Sequence, residues 1–270
     1  MHAPVRPPEP IPAELLLLAY RSGIFPMADH RDDPEVYWVE PQERAIIPLG
    51  GFHLSHSLAR TLRRDRFRVT CDAAFAEVIS ACAEPREEHA ESWISQRIEA
   101  SYLELHHASH AHSIECWLPA PDGGKRLAGG LYGVAFDRVF CGESMFSRAD
   151  DASKVALAWL VAGLRRAGFA LLDCQFMTGH LASMGAVALP QADYLQRLKD
   201  ARGEPRCSLP QALSSFSGAG AGDGAGAGDG VDADGVADGA GRRVAGASSS
   251  AGAPPSSPGK LIAQSLTQTS

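Results

Sequence analysis

LAGGLYGVAFDRVFCGESMFSRADDASKVALAWLVAGLRRAGFALLDCQ, residues 127–175, contains the elements that decide the fold. Leu127 to Phe136 and Val139 to Phe146 are two β-prone runs separated only by Asp137 and Arg138, the spacing of a hairpin. Asp150 or Asp151 then caps a long helix that stops at Gly168, and Phe169 to Cys174 is an apolar run of strand length. Upstream, Pro12 opens a helix to about Arg21 with Gly23 as its stop, and Phe25 to Pro48 is punctuated by proline. Ser55 caps a helix with Leu58 and Leu62 one turn apart, and Phe67 to Cys71 reads as a strand. Asp72 caps a helix with the apolar stripe Phe75, Val78, Ile79 and Cys82. A helix from about Ser95 to Ala108, a strand from His112 to Leu118 and a last helix near Ala192 to Ala201 complete the pattern. Strands alternating with helices around one hairpin predict an α/β (α+β) fold, a mixed sheet covered by helices.

The 270 residues are 45% hydrophobic and 21% charged, which supports a core and excludes a fibrous or wholly disordered chain. A net charge of −7 argues against coating nucleic acid with a bulk positive field, so any such contact is local. The six cysteines form no C-x-x-C pair, so neither a zinc site nor a disulfide framework is indicated, and scattered thiols fit a reducing cytosol. Met1 to Pro12 holds five prolines and no apolar run, while Leu15 to Ala19 and Val155 to Leu164 are too short to be exported or to span. The expectation is a cytoplasmic protein with no membrane partner. Phe216 is the last aromatic residue, and Ser217 to Ser270 is nearly all Gly, Ala, Ser, Asp and Pro, a composition that predicts a disordered tail. That tail carries five Asp against Arg242, Arg243 and Lys260, which leaves −5 on the part before it.

Two polar positions interrupt runs that should be apolar. Alternation points Asp173 and Gln175 to the same face at a strand's end, where a carboxylate can hold an amine or take its proton with the amide as relay. Asp173 capping the turn before Gly179 is the alternative. Glu143 stands alone in a β-prone run, so it is either paired with a cation such as Arg148 or Lys154, or functional. His106, His107, His110 and His112 are a weak metal signal, because the segment changes from helix to strand and lacks H-E-x-x-H. Gly129-Gly130 inside a strand marks a bulge or a close backbone approach. No phosphate-cradling glycine motif occurs. Arg60, Arg63, Arg64, Arg66 and Arg68 form a dense basic patch, either a solvated face or a place for nucleic-acid phosphates, with Arg60, Arg63 and Arg64 on the helix capped by Ser55. Leu157, Leu160 and Leu164 make a one-sided stripe on the long helix, by default core.

Five blocks together carry a family resemblance: Tyr20 to Met27 (YRSGIFPM), Arg44 to Pro48 (RAIIP), His110 to Glu115 (HAHSIE), Gly142 to Arg148 (GESMFSR) and Asp173 to Gln175 (DCQ). In this order, from about Pro10 to Arg206, the chain resembles the bacterial leucyl/phenylalanyl-tRNA–protein transferase family. The resemblance implies transfer of Leu or Phe, less readily Met, from aminoacyl-tRNA to the α-amine of proteins beginning with Arg or Lys, creating an N-degron for Clp-dependent proteolysis. Aminoacyl-tRNA is an activated ester, so no cofactor and no metal is expected. A small N-terminal domain is implied at about residues 1–51, and a catalytic domain similar to the acyl-CoA N-acyltransferase fold at 52–216. Catalysis is assigned to Asp173, Gln175 and Glu143, and Leu131, Phe140, Leu157, Leu160, Leu164 and Leu172 become the aminoacyl pocket. Trp38 and Trp93 fall near that pocket and the terminal adenosine. Strict alternation puts Leu172 on the face opposite Asp173, so both serve only if the strand end twists.

The chain departs from the family pattern at Trp38-Val39, where two tryptophans are usual, at Gln42-Glu43 in place of Asp-Pro, at His56 in place of Arg and at Ser109 in place of Gly. Two rival classes stand beside this reading. A small-molecule N-acetyltransferase of the same fold needs a pyrophosphate loop before its long helix, which residues 148–153 lack. A non-enzymatic tRNA-binding module leaves Asp173, Gln175 and Glu143 without a role.

Overall fold

Helix α1 (Ala13–Arg21) leads into an antiparallel ribbon of β1 (Phe25–Met27) and β2 (Tyr37–Val39) in the computed structural model, which describes residues 9–85, 91–217 and 257–268. Next come β3 (Glu43–Ile47), a 3₁₀ turn at Leu49–Gly51, α2 (His56–Arg63), β4 (Arg68–Cys71), α3 (Phe75–Cys82) and α4 (Gln96–His107). β5 (Ala111–Pro119), β6 (Lys125–Phe136) and β7 (Val139–Ser147) run as an antiparallel meander. α5 (Ala152–Ala167) returns the chain to β8 (Leu171–Gln175), which pairs β7 in parallel. α6 (Gly179–Ser183), β9 (Val187–Pro190), α7 (Gln191–Asp200), α8 (Leu209–Ser217) and α9 (Pro258–Thr267) follow. Seven strands form one mixed sheet in the order β4-β5-β6-β7-β8-β3-β9, so the α/β class expected from the central stretch is the one observed.

Local chemistry explains most of these boundaries. Ser55 and Ser95 cap α2 and α4, their Oγ atoms accepting from the backbone N–H groups of Leu58 and Ile98. Gly168 ends α5 with φ 80°, a conformation open to glycine at little cost, and Asp137 takes φ 49° in the two-residue hairpin turn. Two capping expectations fail. Ala74 is the N-cap of α3, and Asp72 instead accepts hydrogen bonds from the Ser113 N–H and the His112 ring. Asp151 does precede α5, but in a left-handed conformation without a cap bond, its carboxylate taken by Thr61 Oγ1 and Lys154.

Each face of the sheet has its own core. On one face α2, α5, α8 and α9 pack through Leu58, Leu62, Leu157, Leu160, Leu213 and Ile262. The other face is covered by α1, α3, α4 and α7 through Leu16, Tyr20, Val78, Tyr102 and Tyr194. Arg44 and Ile46, read as part of a proline-punctuated connection, lie in β3, which fills the place between β8 and β9. Residues 43–47 therefore belong to the main sheet, and a division at residue 51 cuts through it; the ribbon and α1 before residue 43 are the part outside.

The predicted tail is also corrected at its end. Residues 218–256 lie outside the described residues, but Pro258–Thr267 forms α9 and buries Ile262, Ala263 and Leu266. Gly259 donates its N–H to Asp65 Oδ1 at 2.7 Å, and a Cβ on Gly259 would stand 2.0 Å from the Leu62 carbonyl oxygen. Glycine and serine composition hid a helix whose Ile262 and Leu266 share one face four residues apart. Because α9 completes a core, Ile262→Ala should destabilise the protein by about 2–5 kcal/mol, a fall of at least roughly 4 °C in melting temperature by calorimetry. An unchanged melting temperature would mean that α9 adds nothing to the fold.

Candidate active site

β7 and β8 pair over only three positions, Val139 with Leu171, Phe140 with Leu172 and Cys141 with Asp173. Beyond Cys141, β7 continues against β6 alone, and a cleft of about 810 Å³ lies where the two strands part. Leu131, Leu157, Leu160 and Leu172 line it from the face covered by α5, and Tyr132, Glu143 and Gln175 also line it. The cleft thus joins an apolar wall to a buried acid.

Both polar residues stand at irregularities of the sheet. Tyr132 pairs Ser144 and Gly133 pairs Gly142, which makes Glu143 the extra residue of a β-bulge. Gly133 permits it, since a Cβ there would lie 2.2 Å from the Cys141 carbonyl oxygen. On β8, Ala45 pairs Gln175 and Ile46 pairs Asp173, so Cys174 is likewise extra, and Gln175 adopts φ 61°. That left-handed backbone is unusual for a residue with a side chain and persists where surrounding bonds hold it.

Those bonds run to Asp173. Its Oδ1 accepts the Gln175 N–H at 2.9 Å, its Oδ2 accepts from the Tyr194 hydroxyl at 2.9 Å, and its carboxylate pairs with the Arg44 guanidinium. Arg44 is 1% exposed and lies over the rings of Phe25 and Tyr194, 4.8 and 4.5 Å from their centroids. Burial, the largest single influence, opposes the guanidinium's charge, but the Asp173 charge and hydrogen bond together with Tyr194 and Cys141 outweigh it and raise its pKa. Asp173 is wholly enclosed and does not line the cleft. Its geometry suits holding Gln175 in place rather than meeting a substrate.

Gln175 Nε2 and the Tyr102 hydroxyl both donate to Glu143 Oε2, at 2.9 and 3.1 Å. Tyr20 forms a short hydrogen bond with Tyr102, whose own proton is committed to Glu143, so Tyr20 is the donor. Glu143 Oε1 has no partner among the described residues. Burial raises the Glu143 carboxyl to about 7 against the lowering effect of the neighbouring Tyr20, Gln175 and Tyr102 polar groups, so the group changes charge near neutral pH.

The other sequence-derived residues divide. Trp93 lines the cleft, whereas Trp38 is on β2, partly exposed, and does not. Phe140 and Leu164 are buried in the core under α5 and line no part of the cleft. The twist required for Leu172 and Asp173 to serve together is unnecessary, because Leu172 faces the cleft and Asp173 stays behind Gln175. Arg60 and Arg63 are exposed on α2, Arg64 is exposed at its C-cap, just past the helix on which it was expected, and Arg66 and Arg68 are exposed further on. Lys154 meets Asp151 and Arg148 pairs with Glu84, rather than either pairing with Glu143. His106 stacks on Phe75 and His112 bonds Asp72, and no three potential ligands converge among the described residues. A bulge at Ala128 and the contact of Gly129 with Ala152 account for the paired glycines. Sequence reasoning missed Arg44, Tyr194, Tyr20 and Tyr102, although Tyr20 and Arg44 open two of the quoted blocks.

The model of the leucyl/phenylalanyl-tRNA protein transferase family matches residues 46–199, and that of its N-terminal domain matches residues 10–42. The chain belongs to this family. A leucyl/phenylalanyl-tRNA–protein transferase from Novosphingobium aromaticivorans is 61% identical over 97% of the chain and 98% of its own length. Those from Zymomonas mobilis and Rhizorhabdus wittichii are 58% and 53% identical, over 71% and 78% of the chain and 69% and 79% of their own lengths. Among solved structures, the C-terminal DUF2156 domain of a putative lysylphosphatidylglycerol synthetase from Agrobacterium fabrum aligns with 76% of the chain and 69% of its own, at 14% identity and a TM-score of 0.33. Family membership makes the chain an aminoacyltransferase with aminoacyl-tRNA as donor and a protein as acceptor. Among the described residues no helix is long and apolar enough to cross a membrane.

Proposed function

We propose that the cleft transfers Leu or Phe, less readily Met, from aminoacyl-tRNA to the α-amine of proteins beginning with Arg or Lys, marking them in the cytoplasm for Clp-dependent degradation. The observation that carries this reading is the junction of the leucine wall with Glu143 and Gln175 in one cleft. A Leu or Phe side chain lies against Leu131, Leu157, Leu160 and Leu172, and a cationic acceptor N-terminus meets the acid. Leu164 and Phe140 back this wall as core. Trp93 borders the terminal adenosine, and the arginines in and after α2 take tRNA phosphates, a local contact that the acidic chain requires.

The neutral α-amine attacks the ester carbonyl carbon, a tetrahedral oxyanion forms, and its collapse breaks the ester C–O bond. The ribose hydroxyl leaves, with the proton lost by the amine restoring it, so the step balances without a cofactor. Gln175 commits its NH₂ to Glu143 and offers its carbonyl oxygen to an N–H of the incoming amine. A free α-amine has a pKa of about 7.7–8.0, so a useful fraction is already neutral, and positioning supplies much of the acceleration. In this reading Asp173 acts through Gln175 as a positioning residue.

The test supplies labelled leucyl-, phenylalanyl- and methionyl-tRNA, or acetyl-CoA, together with peptides beginning with Arg, Lys or Ala. Label moves from Leu and Phe donors to Arg- and Lys-starting peptides, with less from Met. Transfer from acetyl-CoA, or equal transfer to the Ala-starting peptide, contradicts the proposal.

A further inference from the structure

Tyr132 belongs to β6, directly across the hairpin from the bulge that carries Glu143. Its ring is fully buried and fixed by edge contacts, 5.5 Å from the Tyr102 centroid and 5.8 Å from that of Phe75. Yet its hydroxyl has no hydrogen-bond partner among the described residues, and neither has Glu143 Oε1. Both residues line the same cleft. A buried hydroxyl without a partner forgoes a hydrogen bond that water would have supplied, so phenylalanine would pack here at no loss unless the oxygen meets something absent from the free protein. Burial and the nearby Tyr102 and Glu143 hold the phenol well above its ordinary pKa, so it stays neutral and able to accept an N–H.

We propose that the Tyr132 hydroxyl is a specificity-determining contact for the acceptor, pairing with Glu143 Oε1 to hold the side-chain cation of the acceptor's first residue. This rests on the reading that Glu143 meets the acceptor. The α-amine that attacks must give up its charge, whereas a guanidinium or ammonium keeps its charge and presents several N–H donors. One donor suits the free carboxylate oxygen and another the phenol oxygen, so two unpartnered atoms find their bonds in a single ligand. An acceptor beginning with a small apolar residue satisfies neither.

The experiment compares Tyr132→Phe, Glu143→Gln and the unchanged protein with leucyl-tRNA as donor and peptides beginning with Arg or Ala. Tyr132→Phe preserves the ring contacts, and its melting temperature should not fall. It should raise KM for the Arg-starting peptide about tenfold, as loss of a hydrogen bond to a charged group does, with kcat, donor binding and the Ala-starting peptide unaffected. If KM is unchanged in Tyr132→Phe but raised in Glu143→Gln, the inference about Tyr132 is overturned and the acid's role stands. If neither variant alters KM, the acid's role fails and this inference fails with it. An equal rise for both peptides assigns the contact to the α-amine and overturns the side-chain assignment. A lower melting temperature with unchanged KM makes Tyr132 a core residue.

Discussion

Asp173→Asn slows single-turnover transfer by about 10²-fold at saturating leucyl-tRNA while donor affinity stays the same, the effect expected when a catalytic group is misplaced by a fraction of its own size. Asp173 Oδ1 holds the backbone N–H of Gln175 in its left-handed turn, and that turn aims the amide at Glu143. In the variant an amide replaces the carboxylate, the Arg44 charge loses its counter-charge, and Gln175 is less firmly held. Raising the pH should leave the rate low, because the missing carboxylate does not touch the amine. Recovery at high pH would instead show Asp173 to be the proton acceptor and would return it to the substrate's side of the site. Circular dichroism confirms that the variant is folded before rates are compared.

Arg44→Met should cost about 3–5 kcal/mol of stability, because it leaves the Asp173 carboxylate charged, enclosed and without its cation. The Tyr194 hydroxyl and the Gln175 N–H continue to donate to Asp173, and the thiol of Cys141 lies 3.4 Å away, but none of these is a counter-charge. Arg44→Met combined with Asp173→Leu removes both charges and should recover most of the stability, since apolar replacement of a whole buried pair is often neutral. Transfer should remain slow in the double variant, because the Gln175 N–H then lacks the acceptor that fixes its turn. Denaturant unfolding and transfer assays on the same preparations read the two effects separately. Recovery of transfer together with stability would make the Arg44–Asp173 pair a structural element only.

The parts of the fold legible in the sequence are those fixed by short-range chemistry. Two residues between β-prone runs gave the β6–β7 hairpin, Gly168 marked the end of α5, and Ser55 and Ser95 marked helix starts because each side chain acts within three residues. The stripe on α5 put Leu157 and Leu160 on one side of that helix, and both line the cleft, whereas Leu164 of the same stripe does not. What remained hidden depends on distance along the chain or on irregularity. The partner of Asp173 is Arg44, 129 residues away on a strand that enters the sheet out of sequence order. Glu143 and Cys174 lie at bulges, where period-two reasoning does not apply. Nothing local in α1 or α4 marks Tyr20 and Tyr102, and only the fold brings the Tyr102 hydroxyl to Glu143 and the Tyr20 hydroxyl to Tyr102. α9 was masked by averaging over a glycine-rich segment.

In the proposed transfer the acid end of the cleft holds the acceptor's cationic N-terminus while the donor side chain lies against the leucines. The most direct measurement is the half-saturating concentration of an Arg-starting peptide in single-turnover transfer from saturating leucyl-tRNA, between about pH 6 and 8.5, in the unchanged protein and in Glu143→Gln. Glu143 is raised by burial to about 7 and faces Tyr20, Tyr102, Gln175 and Asp173, so below that pH it is largely neutral and above it ionised. Acceptor affinity in the unchanged protein should therefore improve as pH rises through about 7, and in Glu143→Gln it should be weaker and show no such inflection. Superimposable pH profiles with equal affinity in the two proteins would contradict the assignment of the acid end to the acceptor.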